Sequence, residues 1–149
     1  MTTKPGDIAA SAALYERQLT ILAPRERVFD AIATLDGPRH LWTTMVTGSA
    51  ADGGELCFGF AGLDEQIIMH VDVARPPATV EWSCTAHTRD QEWTGTKIRF
   101  EVAERGPQAC ELGFQHTGID PGLVAAGWDH FLASLAAYAE HGLGSPFGA

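Results

Sequence analysis

An α+β fold, a curved antiparallel sheet of about seven strands wrapped around one long C-terminal helix, is predicted by three features of this 149-residue sequence. Lys97-Ile98-Arg99-Phe100-Glu101-Val102 and Cys110-Glu111-Leu112-Gly113-Phe114-Gln115-His116 alternate apolar and polar side chains, apart from Gly113 and the terminal His116, so each strand has a dry and a wet face. Pro121 to about His141 then reads as a long amphipathic helix able to cover the dry side. The connections between the strands are short and turn-rich, which makes the sheet an antiparallel meander. A curved sheet gripping one long helix leaves a hollow between them, so a cavity is expected.

The elements follow in order. Residues 1–13 carry Pro5, Gly6 and many small side chains and read as a flexible tail, with one domain over 14–149. Tyr15 to Leu22 is the first strand, Leu19 and Ile21 inward. Pro24 suits the first turn of a helix whose Val28, Phe29 and Ile32 share one side, with Gly37 as its left-handed C-terminal cap. Pro38 opens a brief second helix that brings Leu41 and Trp42 to the rim of the sheet. Strands are expected at Met45–Ser49, Glu55–Phe60, Gln66–Ala74, Thr79–Thr85, Gly95–Glu104 and Ala109–Thr117. On the last helix Asp120 is the N-cap, Val124, Trp128, Phe131, Leu132 and Leu135 form the buried stripe, and Asp129, His130, Ala133 and Glu140 face outward.

Composition narrows the partners. A formal net charge of −9 and a pI near 4.9 repel phosphate backbones and anionic lipid, so neither nucleic acid nor membrane is an expected partner. Cys57, Cys84 and Cys110 are odd in number and each sits in a predicted strand, which suits buried thiols in a reducing, cytoplasmic setting. The 6 histidines are scattered, with no His-X-X-X-His or Cys-X-X-Cys, so no metal and no cofactor is expected.

Strand parity gives the expected cavity lining. Phe58, Met69, Trp82, Phe100, Leu112 and Phe114 are large inward groups of the sheet, faced by Trp128, Phe131 and Leu132 of the helix; for each, the alternative is plain core packing. Trp93, in the long connection 86–94, is expected to fold over the mouth with Trp42, or else to bridge two copies in a homodimer. Arg17 shares the parity of Leu19, so it either reaches an anionic ligand group or bends out to water. His116 is the inward polar residue: a candidate general acid or base, or a structural tie from the strand end to Asp120 or the first turn of the helix.

Several local words are similar to a known family. Ala23-Pro24-Arg25-Glu26-Arg27-Val28-Phe29-Asp30-Ala31 resembles the first helix of the START/Bet v 1-like (SRPBCC) superfamily. Thr94-Gly95-Thr96-Lys97-Ile98-Arg99-Phe100, Gln115-His116-Thr117-Gly118 and Gly127-Trp128 with Leu132, Leu135, Tyr138 and Gly142 resemble one branch, the family named after the C-terminal domain of the activator of Hsp90 ATPase. The resemblance implies a helix-grip fold and binding of a small, largely apolar molecule. It also implies two alternatives: a polyketide cyclase/dehydratase-like or hydrolytic enzyme using His116, and an Hsp90 co-chaperone module. Full activators carry an additional N-terminal domain, for which this chain is expected to have no room.

Overall fold

The structure, a computed structural model, describes residues 13–148; the expected tail, apart from Ala13, lies outside them. Its sheet contains β1 (Leu14–Ile21), β2 (Met45–Gly48), β3 (Glu55–Gly59), β4 (Gln66–Arg75), β5 (Thr79–His87), β6 (Lys97–Gly106) and β7 (Ala109–Thr117). The order is β1-β7-β6-β5-β4-β3-β2 and every pairing is antiparallel. After β1 the chain passes through helices α1 (Arg25–Ile32) and α2 (Asp36–Leu41) to the opposite edge, then meanders back to β7. Helix α3 (Pro121–His141) packs on the concave face, with Trp128 against Phe114 at 4.6 Å and Phe131 against Phe100 at 6.0 Å between ring centres. This is the helix-grip arrangement.

Alternation drives the burial. Leu56, Phe58, Met69, Trp82, Phe100 and Phe114 turn inward and have almost no exposure, each burial being worth about 1.5–3 kcal/mol. The outward positions form charge pairs, Arg105 with Glu111 at 2.6 Å and Lys97 with Asp72 at 3.5 Å, exposed enough to add little. Cys57 belongs to this outer face and is only half-buried, because Leu56 and Phe58 take the inward places. Helix α3 begins where the Asp120 carboxylate accepts the Gly122 N–H at 2.9 Å and ends at Gly142, whose φ of 78° lets its N–H reach the Tyr138 carbonyl at 2.8 Å.

One expectation changes, and two register shifts break the alternation of the strands. Gly37 does not cap α1, which ends at Ile32, but lies in α2. Its backbone presses on α1 so closely that a Cβ there would sit 2.1 Å from the Ala31 carbonyl oxygen. Gly37→Ala is therefore expected to cost about 3 kcal/mol, read as a lower urea midpoint at unchanged m-value, since backbone must move to relieve the overlap. Val73 would point inward by strict alternation from Met69 and Val71, but it is half-buried, because the β4–β5 register shifts between Val71 and Val73. A second shift, between Ile68 and Met69, leaves Thr85 unpaired: Ile68 faces Ala86 and Met69 faces Cys84. One extra residue reverses the parity of everything after it, so His87, opposite the inward Ile67, turns inward.

Candidate functional site

A cavity of about 230 Å³ opens at the end of the sheet where β3, β4 and β5 meet the first half of α3. Trp42, Phe60, Trp93 and Trp128 give it aromatic walls, and Ile67, Leu123 and Val124 add aliphatic surface. Glu65, His87 and Asp90 form its polar end. An apolar void of about 150 Å³ is enough to hold benzene, so this one admits a molecule of one or two rings. A larger hollow of about 1170 Å³ runs over α1, α2 and the end of α3, but it is a trough open to solvent that encloses nothing.

Of the expected lining, Trp42, Trp93 and Trp128 border this cavity. Trp128 lies 5.6 Å from both Trp42 and Trp93 and is tilted 38° and 30° against them, which makes a row of three indoles. Trp93 thus packs over the opening against Trp128. Phe58, Met69, Trp82, Phe100, Leu112, Phe114, Phe131 and Leu132 are buried behind the row and do not border the opening. They fill the deeper hollow with packed aromatic rings: Trp82 and Phe100 are 5.1 Å apart, as are Phe100 and Phe114. Two of them support the wall directly, Phe58 under Trp42 at 4.5 Å and Phe131 under Trp128 at 5.0 Å.

His116 is fully buried and also lies behind the wall. Its tie is not to Asp120 but to Trp128, about two turns further along, whose indole N–H donates to Nδ1 at 2.9 Å. An indole nitrogen only donates, so Nδ1 must accept, and in the neutral ring the proton is on Nε2. Nε2 then donates to the Thr96 hydroxyl at 2.7 Å, which donates to the Trp93 carbonyl at 2.6 Å. Both ring nitrogens are used. Burial pushes the imidazole pKa down to about 4, so the ring is neutral at pH 7. Through this chain of hydrogen bonds one residue positions two of the cavity's three tryptophans.

His87 is the polar residue that strand parity conceals. Its Nδ1 accepts the backbone N–H groups of Asp90 at 3.0 Å and Arg89 at 3.3 Å, which shapes the turn after β5 and again leaves the proton on Nε2. Burial lowers its pKa, opposed by the carboxylates of Asp90 and Glu65. Those carboxylates stand 4.0 Å and 3.8 Å from Nε2, beyond hydrogen-bonding distance. Arg89 holds the other Glu65 oxygen at 3.4 Å. The sequence signal that was available is the clustering of Glu65, His87, Asp90 and Trp93 in two connections that meet across β4 and β5; the bulge that aims His87 inward leaves no such mark. Among the described residues, no three His, Cys, Asp or Glu side chains converge to hold a metal ion.

Arg17 does not reach the cavity. It lies 3.3 Å from Asp129 and over the Tyr15 ring at 4.5 Å, while the buried Tyr15 hydroxyl donates to the same carboxylate. Burial, reinforced by the Asp129 charge, pushes the Tyr15 phenol above its ordinary range. Asp129 faces outward as expected and also fastens α3 to β1.

The family model described as "Activator of Hsp90 ATPase homolog 1-like protein" matches residues 22–140. No curated protein matches the chain. Among solved structures, that of the Aha1 dimer from Colwellia psychrerythraea is 26% identical, with 88% of this chain and 98% of that one covered at a TM-score of 0.75. An HSP90 activator from Plasmodium falciparum is 16% identical, over 83% and 93% of the two chains, at 0.71. CalU16 from Micromonospora echinospora is 17% identical, over 84% and 73%, at 0.67. The last two likenesses are of fold alone. Among the described residues no helix is long and apolar enough to cross a membrane.

Proposed function

Since the chain belongs to the activator of Hsp90 ATPase homolog 1-like family, a branch of the START/Bet v 1-like helix-grip folds, we propose that it binds a small, largely apolar molecule in the cavity between sheet and α3. The observation that carries this reading is the row of three indoles bordering an opening with a single polar end. Proton-transfer chemistry is less well supplied. His116 has both nitrogens engaged, and the lone pair of His87 is taken by two backbone N–H groups, so neither neutral ring offers a base to the cavity. The free, buried Cys84 and Cys110 thiols, both raised by burial, support a cytoplasmic setting.

The 4 tryptophans supply a built-in assay, because three border the cavity and Trp82 is packed behind it. Naphthalene is expected to shift the indole N–H resonances of Trp42, Trp93 and Trp128 in a nitrogen-proton spectrum and to leave Trp82 nearly in place. No shift up to the solubility limit, or a response confined to Trp82, would overturn the assignment.

A further inference from the structure

The polar end of the cavity is unbalanced in a way that selects a functional group. The His87 side chain is only 2% exposed, yet among the described residues its Nε2 proton has no hydrogen-bond acceptor, because Nδ1 takes both nearby amides and the two facing carboxylates stand too far away. That nitrogen is not sealed inside the protein but lines the cavity, so the site favours a molecule that supplies an acceptor there. On the other side, among the described residues Glu65 Oε2 has no hydrogen-bond donor, since Arg89 holds Oε1. The Glu65 side chain is 16% exposed and that of Asp90 62%, so Glu65 is the stronger of the two acceptors. A gap of 3.8 Å between Nε2 and Oε2 is too long for a direct bond, but an oxygen beside that line can lie within hydrogen-bonding distance of both.

From this juxtaposition we infer that the ligand is a neutral aromatic alcohol or phenol, whose hydroxyl accepts from His87 Nε2–H and donates to the Glu65 carboxylate while its ring lies along the tryptophan row. This rests on the apolar-binding reading and adds the polar group to it. Each alternative head group fails on one side. An ammonium can donate to Glu65 but cannot accept from His87, and a carboxylate accepts from His87 but meets the Glu65 and Asp90 charges. A ketone accepts from His87 and leaves Glu65 without a donor. A plain hydrocarbon satisfies neither group. Of these groups, the hydroxyl alone both donates and accepts at one atom.

Four probes of one shape separate these cases by titration calorimetry at pH 7: naphthalene, 2-naphthol, 2-naphthoate and 2-naphthylmethylammonium. The expected result is 2-naphthol at least tenfold tighter than the other three. His87→Asn keeps an oxygen where Nδ1 was, so the Arg89 and Asp90 amides stay satisfied, but it removes the Nε2 proton. It is expected to erase the preference for 2-naphthol over naphthalene, whatever the affinity of each for the altered cavity. Equal binding of naphthalene and 2-naphthol by the wild type overturns the hydroxyl assignment while leaving the apolar-binding reading intact. So does tighter binding of either charged probe, or a 2-naphthol preference that survives in His87→Asn. Failure of all four probes to bind overturns both readings. The ranking on the wild type decides the matter even if the variant does not fold.

Discussion

Trp128→Ala is expected to lower stability by about 3–5 kcal/mol and to abolish binding of any ligand that uses the cavity. Trp128 is 2% exposed and lies among Phe114, Phe131, Trp42 and Trp93, with ring centres 4.6–5.6 Å away. Truncation would empty the volume that joins the sheet, α3 and the two rim tryptophans, and surroundings this densely packed can close over it only in part. It would also remove the donor to His116 Nδ1. Trp128→Phe separates the two effects: it retains an aromatic ring but leaves the buried imidazole nitrogen unmet, at about 1–3 kcal/mol. Urea unfolding of the two variants against wild type reads both. A loss below about 1 kcal/mol for the alanine variant would mean that Trp128 borders a void and does not clamp the helix, which would remove the rigid central wall on which the binding site depends.

The sequence was legible wherever period and burial agree. In β6 and β7 the alternation around Ile98, Phe100, Leu112 and Phe114 gives face and neighbours correctly, because one extended strand buried on one side has no freedom to do otherwise. Helix α3 was equally readable, since Asp120, Pro121 and Gly142 mark its ends by cap chemistry. The site was less so, for two physical reasons. Parity does not survive a bulge: Thr85 adds one residue to β5 and turns His87, the cavity's buried donor, from the wet face to the dry one. Parity also does not measure volume. It placed Trp82, Phe100 and Phe114 on the concave face, where they are, but it could not tell whether their rings leave space or fill it, and they fill it. Gly37 shows the same limit for glycine, whose use here is close approach to Ala31 rather than a left-handed turn.

His116 is expected to make stability depend on pH, and the sign distinguishes a structural ring from a catalytic one. In the unfolded chain its imidazole takes up a proton below about pH 6.5. In the folded protein, burial with both nitrogens engaged holds the pKa down to about 4. Between these values the unfolded state binds more protons, so stability is fully present above about pH 6.5 and is lost as pH falls toward 4, by about 3 kcal/mol at about 1.36 kcal/mol per pH unit. His87, lowered by burial as well, adds in the same direction, so the wild type alone does not isolate the contribution of His116. His116→Gln does. It should be less stable than wild type at pH 7, because the Trp128 N–H loses its acceptor, and the difference between the two proteins should shrink by about 3 kcal/mol on going from pH 7 to pH 4. A general acid or base would behave otherwise, titrating between about 5 and 8 with little effect on folding. Imidazole resonances of His116 that titrate in that range in the native protein, or a stability difference that stays constant with pH, would show the ring to be reachable by solvent and return it to the list of catalytic candidates.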